Sequence, residues 1–305
     1  MMRNTLAAFG GSMLLASFAS AQVSEVVYFG DSLVDVGNVD TATIGLIPGG
    51  DYFDGRFSNG LLFSEYLATD LGVAVPTNSL AGGNNFAFGG AGASGNNFLG
   101  VIPSVENQVN FFLAGNTPTA DALYLLWGGS NDIINGDDDV DNGVAAGAMV
   151  QSVANLAAAG ARNIAVINLV PLGQTPRSRG TSDETRFDTQ AAAFNDDLAA
   201  GLAGVRAADP GLELVEIDAF GAFGDILLDP NAFGLTNITD AAQDLGLGFD
   251  DADTFLFWDD IHPTTAGHRL LADEVFAALP DSITGIPEPS AVGIVAVGLL
   301  LRRRR

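Results

Sequence analysis

The segment Phe29-Gly30-Asp31-Ser32-Leu33 sets a serine hydroxyl in a turn that follows a short apolar run. Serine is a weak nucleophile until a base takes its proton, and histidine does this best near neutral pH. The chain contains two histidines, His262 and His268. His262 lies in Trp258-Asp259-Asp260-Ile261-His262-Pro263, with one carboxylate at Asp259 and another beside it at Asp260. A buried carboxylate can hold an imidazole in one tautomer and stabilise its charged form. Serine, aspartate and histidine in this chain order can together carry acyl transfer. Alone, the first segment reads better as a helix cap; the histidine segment is what turns it toward chemistry. His268 sits in the helical pattern TTAGHRLLADEV and reads as a structural residue.

Acyl transfer also needs donors for the negative oxygen of a tetrahedral intermediate, and losing one such donor costs about 3 kcal/mol. Two segments could supply them. Asn84-Asn85-Phe86-Ala87-Phe88-Gly89-Gly90-Ala91 offers glycine N–H groups, at Gly89 or Gly90. Gly128-Gly129-Ser130-Asn131-Asp132 offers the Asn131 side-chain amide. Each segment taken singly is also ordinary turn chemistry.

These residues are far apart in the chain, so regular elements must gather them. Glu25–Phe29, Ala122–Trp127 and Asn163–Val170 are largely apolar runs that read as strands, Leu212–Ile217 (LELVEI) reads as another, and Asn85–Phe88 is a shorter one. Helical spacing marks Leu61–Leu71, Val144–Ala159, Asp188–Ala208 and Thr265–Leu279. Buried strands alternating with helices predict a parallel sheet covered on both faces, a three-layer α/β/α domain. Sites in such sheets lie at the carboxyl ends of the strands, where Ser32 and Asn131 fall. The long connections Thr175–Asp183 and Asp229–Asp253 are further places where function can reside.

G-D-S-L near the start, a glycine block, G-x-N-D and D-x-x-H occur in the order and spread of the GDSL, or SGNH, hydrolase family, and the chain resembles that family over residues 24 to 280. FGDSLVDVGN, GRFSNG (Gly55–Gly60), FGLTN (Phe233–Asn237) and FWDDIHPTTAGH resemble its bacterial lipase and esterase branch, which includes thermolabile-haemolysin and autotransporter esterases. The resemblance implies a five-stranded parallel sheet of flavodoxin-like order and no metal or organic cofactor. It implies Ser32 as nucleophile, His262 as general base and then acid, and Asp259 as the residue that orients His262. It implies an oxyanion hole from the Ser32 N–H, the Gly90 N–H and the Asn131 side chain. The substrate it implies is a lipid or small-molecule carboxylic ester. O-deacetylation of a polysaccharide, or a surface protein that binds without catalysis, are the alternatives.

Composition narrows the setting. Acidic residues number 37 against 12 basic ones, giving a formal net charge of −25. Such a chain repels nucleic acid and anionic membrane surfaces. With no cysteine, disulfides, thiolate metal sites and a cysteine nucleophile are excluded. Residues 1–21 read as a signal peptide: Arg3, an apolar stretch from Leu6 to Phe18, then Ala19-Ser20-Ala21 as a cleavage site. At the other end Pro287-Glu288-Pro289, an apolar run from Ala291 to Leu301 and Arg302–Arg305 resemble a PEP-CTERM sorting signal. That resemblance implies an exosortase-type processing protease as partner, and export to the cell surface or medium of a Gram-negative-type bacterium. The run is short of the roughly 20 residues a span requires, so membrane contact through the tail would be transient. The expected division is a leader over 1–21, a hydrolase domain over 22–284 and a sorting tail over 285–305. Asp137 to Gly143 is rich in aspartate, but lacks the sixth-position glycine and twelfth-position acid of an EF-hand loop, and reads as a solvated acidic loop.

Overall fold

The computed structural model describes residues 22–97, 101–136 and 142–285. The expected leader, most of the sorting tail and most of the acidic loop at 137–143 lie outside the described residues. The sheet strands are β1 (Glu25–Gly30), β2 (Ala122–Trp127), β3 (Asn163–Ile167) and β4 (Glu213–Ile217), all parallel, in the order β1-β2-β3-β4. A further pair, β5 (Asn237–Ala241) and β6 (Phe255–Phe257), lies outside this sheet. The helices are α1 (Asn38–Thr43), α2 (Phe63–Asp70), α3 (Val105–Gly115), α4 (Ser130–Ile134), α5 (Asn142–Ala159), α6 (Glu184–Ala208), α7 (Ala219–Leu228), α8 (Thr265–Ala278) and α9 (Asp281–Thr284).

The sheet is apolar on both faces because successive side chains alternate across it. Val27 and Phe29 of β1, with Tyr124 and Leu126 of β2, meet Val109, Met149, Val153, Phe194 and Leu198 from α3, α5 and α6. Val26, Tyr28, Leu123 and Leu125 face the other way, toward Phe63 and Leu67 of α2 and Ala272 and Val275 of α8. A three-layer α/β/α sandwich results, as the sequence predicts.

The expected fifth strand, Asn85–Phe88, differs in form. Tyr28 N–H donates to Asn84 O, Phe86 N–H to Tyr28 O and Phe88 N–H to Gly30 O. The segment thus occupies the strand position beside β1 and completes the flavodoxin-like order, but only as an isolated bridge at Asn85. Its outer side pairs with residues 77–79 through two bonds and then turns into the glycine block. No described helix is long and apolar enough to cross a membrane.

Candidate active site

The turn after β1 is built so that nothing but glycine fits at residue 30. A Cβ there would lie 2.6 Å from Trp127 O and from Val34 Cγ2. The Gln108 amide, buried in α3, grips the same residue twice: Gly30 N–H donates to Oε1 (2.9 Å) and Nε2 donates to Gly30 O (2.8 Å). Asp31 Oδ1 accepts the Leu33 N–H (3.0 Å), closing the turn that presents Ser32.

Ser32 Oγ lies 2.8 Å from His262 Nε2, and His262 Nδ1 lies 2.7 Å from Asp259 Oδ2. Burial pushes the Asp259 carboxyl up, but the His262 charge and hydrogen bonds from His262 and Tyr52 outweigh it and hold the group well below the usual carboxylate range. An ionised Asp259 fixes the proton on Nδ1, which leaves Nε2 to accept from the Ser32 hydroxyl. Asp259 Oδ1 also accepts the N–H groups of Ile261 (2.9 Å) and His262 (2.6 Å), so the carboxylate shapes the loop that carries the imidazole. Asp260 turns outward instead and pairs with Arg177 at 2.9 Å, both side chains about half exposed.

The glycine block is tied to the serine turn by Asp35. Its buried carboxylate accepts the N–H groups of Gly37, Asn38, Val39 and Gly89 at 2.6–3.1 Å. Burial pushes it up to about 6 despite those four donors. Asn38 Nδ2 donates to Asn85 O and Ala87 O, and Asn85 Nδ2 to Val34 O. Because Gly89 N–H is held by Asp35, it is not available to a ligand. Gly90, at φ +81°, lines the cavity over Ser32 instead. Asn131 lines it too, its Nδ2 donating to Ala91 O (3.0 Å) and standing 3.5 Å from Asp31 Oδ2. Burial pushes Asp31 up to about 6, its hydrogen bond from Leu33 and the His262 charge working against that rise.

Three groups to which the sequence reasoning gave no role also belong here. Tyr52 Oη donates to Asp259 Oδ2 at 2.7 Å. The Phe57 ring lies 5.3 Å from the His262 ring, and its edge meets Gly89 so closely that a Cβ there would be 2.4 Å away. Asn59 takes the Thr265 N–H on Oδ1 (2.8 Å) and donates from Nδ2 to Phe249 O (2.8 Å). Phe57 and Asn59 are in GRFSNG, so that block could have pointed to them; Tyr52 carries no local signal. His268 has no part in this hydrogen-bonded chain: it is fully buried, its ring 6.3 Å from the Phe63 ring, with burial first and the His262 charge second pulling it down to about 3. Among the described residues no three histidine or acidic side chains form a metal-holding group.

A serine, an imidazole and a carboxylate joined at the carboxyl edge of a parallel α/β/α sheet have the geometry of a serine hydrolase. The chain belongs to the GDSL-like Lipase/Acylhydrolase family, whose model matches residues 26–275. It is 27% identical to a GDSL esterase/lipase of Arabidopsis thaliana, over 85% of this chain and 90% of the relative. It is 27% identical to the thermolabile hemolysin of Vibrio parahaemolyticus (85% of this chain) and 30% identical to a phosphatidylcholine-sterol acyltransferase of Aeromonas hydrophila (72% of this chain). It spans 65% of the length of each of these last two. Among solved structures, an acetylxylan esterase of Geobacillus stearothermophilus, in a catalytic-mutant form, shares the fold at 12% identity and a TM-score of 0.52, over 88% of this chain and 99% of that one.

Proposed function

We propose that this protein hydrolyses carboxylic esters through an acyl-Ser32 intermediate. His262 Nε2 takes the hydroxyl proton as Ser32 Oγ bonds to the ester carbon. The carbonyl oxygen, now negative, is met by the N–H groups of Ser32 and Gly90 and by Asn131 Nδ2, which keeps its bond to Ala91 O and turns its second hydrogen from the long 3.5 Å contact with Asp31 Oδ2. His262, charged and steadied by Asp259, then returns the proton to the leaving alcohol as its C–O bond breaks. A water enters, gives a proton to the same nitrogen and attacks the acyl carbon; the bond from that carbon to Ser32 Oγ then breaks, His262 passes its proton to Oγ, and the acid leaves.

The supporting observation is the continuous chain Ser32 Oγ, His262 Nε2, His262 Nδ1, Asp259 Oδ2, with links of 2.8 and 2.7 Å. The test is Ser32→Ala on a nitrophenyl ester. Turnover is expected to drop about 10⁶-fold with the melting temperature retained. Turnover at the wild-type rate would refute the assignment.

The same reading extends to where the enzyme works. Arg3, the apolar stretch after it and Ala19-Ser20-Ala21 support export with cleavage before Gln22, and residues 285–305 support processing at the cell surface by an exosortase-type protease. Sequencing the N-terminus of the exported protein tests this, and a chain still beginning at Met1 would count against it.

A further inference from the structure

The cavity over Ser32, about 310 Å³, has two unlike sides. One is polar and open, with Asn135 and Arg177 at its rim, the latter side chain 44% exposed. The other runs between two helices. Ala219, Ala222, Phe223 and Ile226 line it from α7, and Gly267, Leu270, Leu271 and Glu274 from α8. Each set has the spacing i, i+3, i+4, i+7, so one whole face of each helix fronts the same space. Leu256 and Phe257 of β6, 3% and 2% exposed, also line this side.

We propose that this α7/α8 cleft binds the acyl chain of the substrate and that Glu274 sets the chain's length limit. This rests on Ser32 being the nucleophile. The two products of a serine mechanism leave at different times. The alcohol must depart before water can enter beside His262, so it needs the open, polar side. The acyl group stays through both steps, so it is the part suited to the apolar slot. A hydrocarbon chain there meets side chains that gain by excluding water.

The length follows from helix geometry. From Gly267 to Glu274 is about 10 Å at 1.5 Å per residue. An extended chain advances roughly 1.2 Å per bond, taking a third of an extended residue's reach. The slot therefore takes about eight carbons before the chain meets the Glu274 carboxylate, which no described residue engages by a hydrogen bond or ion pair. A methylene pressed against that charge gains nothing.

The experiment is a series of nitrophenyl esters from acetate to hexadecanoate, with kcat/KM measured for the wild type, Glu274→Leu, Ala222→Trp and Ser32→Ala. A matching series of acetate esters of straight-chain alcohols is run on the wild type. In the wild type kcat/KM is expected to rise with acyl length, up to about fourfold per added carbon, the worth of about 0.8 kcal/mol per buried methylene, and to stop rising near octanoate. Glu274→Leu should raise dodecanoate relative to octanoate about tenfold. Ala222→Trp, which adds a ring inside the slot, should lower octanoate relative to acetate about tenfold. A flat acyl profile with a dead Ser32→Ala variant would overturn this inference and leave the mechanism standing. So would length dependence confined to the alcohol series, or a Glu274→Leu profile that matches the wild type. Hydrolysis that persists in Ser32→Ala would instead remove the mechanism beneath it.

Discussion

Tyr52 donates its phenolic proton to Asp259 Oδ2 at 2.7 Å, the same oxygen that faces His262 Nδ1. The two residues are 207 positions apart in the chain. Asp259 therefore holds four hydrogen bonds, two from its own loop's backbone, one from the imidazole and one from this tyrosine. Burial and the neighbouring Asp259 charge in turn push the Tyr52 phenol well above its ordinary range, so it stays a donor at any working pH. In the proposed mechanism Tyr52 acts through Asp259, as a positioning residue.

Tyr52→Phe keeps the ring and deletes only that donor. A hydrogen bond to a charged acceptor contributes about 1.5 kcal/mol, so kcat should fall roughly tenfold while KM changes little. The steady-state constants of the purified variant give the answer. A KM effect with kcat intact would place Tyr52 in substrate binding instead.

The two adjacent aspartates should separate cleanly. Asp259→Asn loses the charge that fixes the imidazole proton on Nδ1, and kcat should fall by about 10⁴. Asp260→Asn disturbs only a half-exposed pair with Arg177, a kind of contact worth about 0–1 kcal/mol, and should leave kcat within about twofold. Equal losses in both variants would show that the loop as a whole, rather than the Asp259 carboxylate, is being damaged.

Asp31 gives the enzyme a pH signature in its stability. Its carboxyl is 2% exposed and is pushed up to about 6 by burial. The native state therefore holds this proton more tightly than the unfolded chain, whose value is 3.8. The stabilising effect is complete below the unfolded value and is lost as pH rises through about 6. A shift of this size corresponds to about 3 kcal/mol. Asn in this place keeps an acceptor for the Leu33 N–H without the charge. Asp31→Asn should thus gain stability relative to the wild type between pH 4 and pH 7, read from urea midpoints across that range. Parallel midpoint curves for the two proteins would refute the assignment.

The layers and the main site residues were legible because their signals are local. Three apolar runs, each ending in glycine or a polar turn, read as buried strands, and Leu212–Ile217, with Glu213 and Glu216 turned outward, reads as an edge strand. Ser32 and Asn131 sit within a few residues of such strand ends, whereas Asp259-x-x-His262 follows β6, outside that sheet, and is legible by its own spacing. Gly89 and Gly90 could not be told apart in the sequence, since both are glycine beside a bridge. The structure separates them because the Asp35 carboxylate, 54 residues away, takes one N–H. Asn85–Phe88 reads as a strand but is reduced to a bridge because its apolar residues are few and its outer neighbour is a loop. Helix α3 was not anticipated, although Ser104 caps it by accepting the Asn107 N–H at 3.2 Å. With α3 went Gln108, a polar residue whose role depends wholly on what it faces.

Gln108 should therefore show how far the serine turn depends on a neighbour from another element. Its buried amide satisfies both the N–H and, in part, the carbonyl of Gly30, whose carbonyl also accepts from Phe88. Gln108→Leu fills similar space but leaves the Gly30 N–H without that acceptor, and a buried donor left unmet costs about 1–3 kcal/mol. The turn can recover the bond only by moving, and Trp127 O and Val34 Cγ2 already crowd Gly30. Both stability and kcat should fall, the second because Ser32 follows two residues later and is aimed by this turn. Gln108→Glu retains an acceptor for the N–H and should recover part of the stability at a pH where it is protonated and can still donate to the carbonyl. A Gln108→Leu enzyme with lowered melting temperature but wild-type kcat would mean that Asp31 and the glycine block aim Ser32 without help from α3.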